Sequence, residues 1–138
     1  MNQQTISTPN PNPASTPDTL WLKIAAINLA AAVALGAFGA HGLKSFASEY
    51  ALGIWQTATL YLFVHALGLL ALGVACVLGR LRITLTACLL QLGVLIFSGS
   101  LYALALGAPK FLGAITPIGG MTMIVGWLTL CFVRVRQA

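Results

Sequence analysis

Acidic side chains are nearly absent from this sequence. Two occur among 138 residues, Asp18 and Glu49, against seven Lys and Arg and two His. Charged residues reach 7%, where a soluble domain averages about 25%. That scarcity excludes an ordinary water-soluble globule. A disordered chain is excluded too, because it needs few apolar residues and 59% of these are apolar. Carboxylate chemistry goes with the carboxylates. No acid is placed to complete a Ser-His-Asp set, or to couple protons inside a membrane as in the small four-helix multidrug transporters. No phosphate-binding loop, GxGxxG or HExxH pattern occurs. The basic residues stand as singles and close pairs, not as the clustered patch that nucleic acid needs. Charges spread this way belong to loops that orient membrane helices.

What the sequence does have is charge-free length. Its nine charges leave four open windows, 24–43, 50–79, 83–109 and 111–133, of 20, 30, 27 and 23 residues. About 20 apolar residues cross a bilayer core as a helix, so each window spans once and none spans twice. Barrel strands would alternate polar and apolar residues, and these runs do not. The expected fold is all-α: an integral membrane bundle of four antiparallel helices near 20–40, 52–78, 83–106 and 112–133. Residues 1–19, rich in Pro, Ser, Thr, Asn and Gln, are expected to form a disordered polar tail. Residues 134–138 form a basic C-terminal tail.

Loop charges set the orientation. Lys23, Arg80, Arg82, Arg134 and Arg136 fall on the side of both termini, and only Lys44 and Lys110 on the other. The excess predicts cytoplasmic termini. Cys76, Cys88 and Cys131 then lie in the reducing half, at spacings that match no zinc or CxxC pattern. They are expected to pack as small hydrophobes.

Helices in lipid associate through close contact, so small residues should mark the seams. Candidates are Ala26, Ala30, Ala34, Gly36 and Gly39 in the first span, and Ala58 and Gly68 in the second. The third offers Gly99, Ala103 and Gly107, and the fourth Gly119, Gly120 and Gly126. Pro117, about a turn inside the fourth span, predicts a kink or a late helix start.

Polar residues inside the spans are the candidate sites. Asn28, His65 and Gln91 fall at similar depth at about 1.5 Å per residue. Thr84, Gln91 and Ser98 recur every seven residues, with Tyr102 near their face, and Tyr61 and His65 share a face four apart. The expected arrangement is an intramembrane polar layer in which His65 pairs with Gln91 or Asn28. A second candidate cluster gathers at the non-cytoplasmic ends: Gly39, His41 and Gly42, then Ser98, Gly99 and Ser100, then Thr116, Pro117, Gly119 and Gly120. Glycines there allow close backbone approach. Haem between His41 and His65 of one chain is disfavoured by a separation of about 20–35 Å. Two copies of His65 in a dimer are the remaining geometry.

These segments resemble a known family. Leu35-Gly36-Ala37-Phe38-Gly39-Ala40-His41-Gly42-Leu43-Lys44 is similar to the signature of domain of unknown function 423, the UPF0382-type small inner-membrane proteins. Trp55-Gln56-Thr57-Ala58 with Tyr61 and His65-Ala66-Leu67 resembles its second-helix pattern. Phe97-Ser98-Gly99-Ser100-Leu101-Tyr102 resembles the third. Thr116-Pro117-Ile118-Gly119-Gly120 with Gly126-Trp127 resembles the fourth. The resemblance covers about residues 20–133. It implies a four-helix, multi-pass protein of the bacterial plasma (inner) membrane, and no established activity, substrate or cofactor.

The expected function is that of a non-enzymatic accessory or assembly partner in the bilayer, bound to another membrane protein or to its own copies. No cofactor is assigned. The alternatives are a homo-oligomeric channel or carrier for a small neutral solute, lined by Thr84, Gln91 and Ser98, and an electron-transfer subunit holding haem or metal at His65. A reporter active only outside the cytoplasm, fused after Ala138, is expected to stay silent in whole cells. Activity of that fusion would overturn the orientation.

Overall fold

The computed structural model describes residues 18–78 and 81–133. The expected tail, except Asp18 and Thr19, lies outside these residues, as do Arg80 and the 134–138 stretch. Four helical stretches are long and apolar enough to cross a membrane: Thr19–Ser45, Glu49–Val77, Thr84–Ala105 and Lys110–Phe132. The fold is the all-α four-helix membrane bundle that the charge-free windows predict.

Helix α1 (Asp18–Ala37) does not stop near residue 40. It widens into a π turn, Phe38–Gly42, where Leu43 N–H donates to the Phe38 carbonyl. A short 3-10 turn, Leu43–Ser45, follows, and Ser45 Oγ donates to the Gly42 carbonyl at 2.7 Å. Helix α2 (Glu49–Val77) starts earlier than expected because Ser48 caps it, its Oγ accepting from Ala51 N–H at 3.2 Å.

Helix α3 (Thr84–Ala105) ends in a Schellman motif. Ala108 N–H donates to the Ala103 carbonyl and Gly107 N–H to the Leu104 carbonyl, both at 3.0 Å. Gly107 takes a φ of +91°, which a side chain would strain, and Pro109 then prevents the helix from resuming. A 3-10 segment, Lys110–Ala114, precedes helix α4 (Thr116–Thr129). Pro117 occupies the first turn of α4, where its missing N–H has no intrahelical acceptor anyway. The proline therefore produces a late start, not a kink.

Consecutive helices pack as neighbours around a core in three layers. Trp21, Ala25, Leu69, Leu72, Ile83, Ala87 and Leu90 fill the end nearest Arg82. Ala32, Leu62, Val94 and Met123 fill the middle. Leu43, Trp55 and Ala105 close the end nearest His41. The outer surface is apolar as well: Ile27 and Val33 are each 67% exposed. In water such a surface would aggregate, whereas lipid solvates it.

Two of the expected small-residue seams face lipid instead. Ala26, Ala30 and Ala34 are exposed, and α1 contacts its neighbours through Ala25, Asn28, Ala32 and Gly39. Gly99 is exposed, and a Cβ there would meet nothing within 4 Å. Small residues suit lipid and helix alike, so their spacing does not choose a face. The α3–α4 seam runs instead through Gly93 and Gly119. A Cβ on Gly119 would stand 2.5 Å from the Phe97 nitrogen and 2.8 Å from the Gly93 carbonyl oxygen. One on Gly93 would stand 2.9 Å from the Gly119 oxygen. The two backbones touch directly.

Gly119→Ala is accordingly expected to destabilise the bundle by about 1–3 kcal/mol, the usual cost of overpacking. Gly99→Ala is expected to leave stability unchanged or raise it. Thermal unfolding in detergent compares them, and equal losses would refute the backbone contact.

Candidate functional site

The polar side chains inside the bundle form links between helices, one or two for each pair that meets. Between α1 and α3, Asn28 Nδ2 donates to Gln91 Oε1 at 2.6 Å. Between α2 and α3, Ser98 Oγ donates to the Ala58 carbonyl at 2.9 Å, and Tyr102 OH donates to Thr59 Oγ1 at 3.0 Å. Thr59 Oγ1 in turn donates to the Trp55 carbonyl at 2.9 Å. Between α1 and α2, Trp55 Nε1 donates to the Leu35 carbonyl at 2.8 Å, just before the π turn. Between α3 and α4, hydroxyl pairs close both ends, Thr86 with Thr129 and Ser100 with Thr116, each at 2.7 Å.

His65 departs from its expected pairing. It reaches neither Gln91 nor Asn28, which are bonded to each other. Its Nε2 lies 3.2 Å from Trp127 Nε1, and its Nδ1 lies 2.8 Å from the Tyr61 carbonyl. An indole N–H can only donate, so Nε2 accepts and the ring proton sits on Nδ1, directed at the carbonyl. Tyr61 does not enter the layer through its hydroxyl. Its ring packs on Phe97 with centroids 4.5 Å apart and stacks beside His65 at 5.9 Å. Thr84 is exposed at the start of α3, outside the layer, and Thr86 takes the inward position.

Trp127 and Trp55 are the two members of the layer that polarity alone does not reveal. Each has a glycine opposite it. A Cβ on Gly68 would fall 2.6 Å from the Trp127 ring, and one on Gly39 would fall 2.6 Å from the Trp55 ring. The indoles reach across the seams because those two positions carry no side chain.

The second candidate cluster divides into two places. Ser100, Thr116 and Gly119 join α3 to α4 through the hydroxyl pair and the backbone contact. Gly39 and Gly42 make room for Trp55 and Phe38, whose rings lie 5.3 Å apart. His41 is exposed on the π turn, and Pro117 on the first turn of α4. Gly120 lies at ordinary contact distance from the Phe97 ring.

The chemistry of these groups is that of mutual satisfaction. Among the described residues no buried side-chain nitrogen or oxygen lacks a partner. None of the links is a nucleophile beside a base, and no group of three or more metal-ligating side chains occurs among the described residues. A recess of about 730 Å³ lies at the end of the bundle, between Tyr50 and Ile54 on α2 and the Gly107–Lys110 turn. One groove of about 430 Å³ lies between α1 and α2, with Trp55 in its floor.

The sequence profile described as "Protein of unknown function (DUF423)" matches residues 35–120. A UPF0382 membrane protein of Staphylococcus saprophyticus is 46% identical over 111 residues, covering 80% of this chain and 92% of that protein. One from Staphylococcus epidermidis is 43% identical over 119 residues, covering 86% and 98%. YwdK, a UPF0382 membrane protein of Bacillus subtilis, is 39% identical over 121 residues, covering 85% and 97%.

The chain belongs to the DUF423 family. No solved structure matches it. The DUF423 match begins at Leu35, whose carbonyl receives Trp55, and takes in the π turn and the Gly93–Gly119 contact. Asn28 and Trp127 lie outside that segment and complete two of its links, to Gln91 and His65.

A double-mutant cycle separates the two candidate partners of His65. His65→Ala with Trp127→Phe is expected to show coupling of about 0.5–1.7 kcal/mol, the range for hydrogen bonds between membrane helices. His65→Ala with Gln91→Leu is expected to be additive. Unfolding in mixed micelles reads both cycles, and coupling only to Gln91 would overturn the assignment.

Proposed function

We propose that this DUF423 protein is a non-enzymatic accessory or assembly partner in the plasma (inner) membrane, with cytoplasmic termini, working through lateral contacts within the bilayer. The observation that carries this reading is where the polar groups lie. Among the described residues, every fully buried side-chain nitrogen and oxygen already has a partner within the chain. Two of the recesses, the α1–α2 groove among them, lie along helix flanks. A surface of this kind offers itself to other membrane-embedded molecules.

The channel reading loses its lining. Gln91 is bonded to Asn28, Ser98 to the Ala58 carbonyl, and Thr84 is exposed at the first residue of α3. Haem or metal ligation at His65 would first have to displace the Trp127 N–H from Nε2.

Mild purification from native membranes, followed by identification of what co-purifies, tests the proposal. A membrane-protein partner or a second copy in fixed stoichiometry is the expected result. Recovery of a lone monomer under all mild detergents would overturn it.

A further inference from the structure

One polar side chain in the spans points the other way. Gln56, on α2, is exposed and forms no hydrogen bond with any described residue. Its neighbour Thr57 is also exposed, but donates to the Gly53 carbonyl of its own helix at 2.9 Å. Gln56 lies seven residues past Glu49, about 10 Å into a charge-free span. Its carboxamide has two donors and an acceptor, and no group among the described residues satisfies them.

The side chain stands on the rim of the groove between α1 and α2. On its own helix it begins an exposed ridge, Gln56, Leu60, Phe63 and Leu67, at helical spacing. The facing wall on α1 is low, made of Val33, Ala37 and Ala40. That wall continues down α1 as the exposed Ala30 and Ala26. A ridge beside a groove, both on one face, is what a twofold interface requires, because each copy's ridge can enter the other's groove. The carboxamide has the same property. Two primary amides related by a twofold axis satisfy each other through paired N–H···O bonds. An acyl chain in the groove would leave Gln56 unpaired.

We propose that the α1–α2 groove is a self-association surface, in which a second copy of this chain seats its ridge and the two Gln56 side chains hydrogen-bond across the twofold axis. The inference rests on the reading that lateral contacts are the working surfaces, and it names one of them.

The test uses the full chain in lipid bilayers, with Cys76, Cys88 and Cys131 replaced by Ser. Energy transfer between labelled copies, measured while lipid is added, should report a dimer. Gln56→Leu should weaken it by roughly 5–30-fold, from the usual worth of an interhelical hydrogen bond in lipid, with the helical circular dichroism unchanged. Oxidation should cross-link Gln56→Cys, and should not cross-link Leu95→Cys on exposed α3. A dimer indifferent to Gln56→Leu, or cross-linking at Leu95 alone, would overturn the proposal. So would a monomer holding one stoichiometric lipid that Gln56→Leu releases. If self-association fails while another membrane protein still co-purifies, only this inference falls. If both fail, the lateral-contact reading falls with it.

Discussion

A bilayer core contains no water to hydrogen-bond, and the architecture of this chain follows from that constraint. Its first consequence is helical: backbone donors and acceptors must pair within each span. Its second is that polar side chains must pair between spans. Asn28 with Gln91, Trp55 with the Leu35 carbonyl, Ser98 with the Ala58 carbonyl and Trp127 with His65 each tie a different pair of helices. Such links contribute about 0.6 kcal/mol apiece on average, so none of them holds the bundle alone. Their effect is on register. Leu against Leu packs nearly as well after a slip of one turn, whereas an amide without its partner does not.

Those links depend on glycine. An indole is too large to cross a helix seam lined by ordinary side chains. Gly39 admits Trp55, and Gly68 admits Trp127, at distances that even a methyl group would close. Between α3 and α4 the glycines act differently. Gly93 and Gly119 let two backbones meet, and that contact brings Ser100 to Thr116 at one end and Thr86 to Thr129 at the other. The α3–α4 pair is thus joined by main chain in the middle and by hydroxyls at its ends. The π turn belongs to the same design. It stands at the seam where Gly39 and Gly42 leave space for Trp55 and Phe38.

Much of this was legible from residue types, and the rest failed for identifiable reasons. Charge position located the four spans, because a charge in hydrocarbon is costly at any register and needs no knowledge of neighbours. Asn28 and Gln91 were legible as layer members by depth. The partner of His65 was not, because a tryptophan reads as apolar while its one N–H is as demanding as an amide's. Gly68 and the Gly126–Trp127 pair were the available signal. Thr84 misled because it is the first residue of α3, exposed where the packing ends although within about 20° of the Gln91 face. Thr86, Gln91 and Ser98 meet three different neighbours. The small-residue stripes misled for another reason: alanine and glycine fit lipid as readily as helix, and their spacing carries no direction.

That last ambiguity bears on function. A stripe that is small but unburied has no role in folding the single chain, and Ala26, Ala30, Val33, Ala37 and Ala40 form such a stripe along α1. By itself it is only compatible with close approach. Gln56 adds demand to permission. On the outer face α2 presents a carboxamide with no partner among the described residues. Among the described residues, every fully buried side-chain nitrogen and oxygen has its partner. In the proposed dimer, a second copy supplies the missing half next to a surface shaped for close approach.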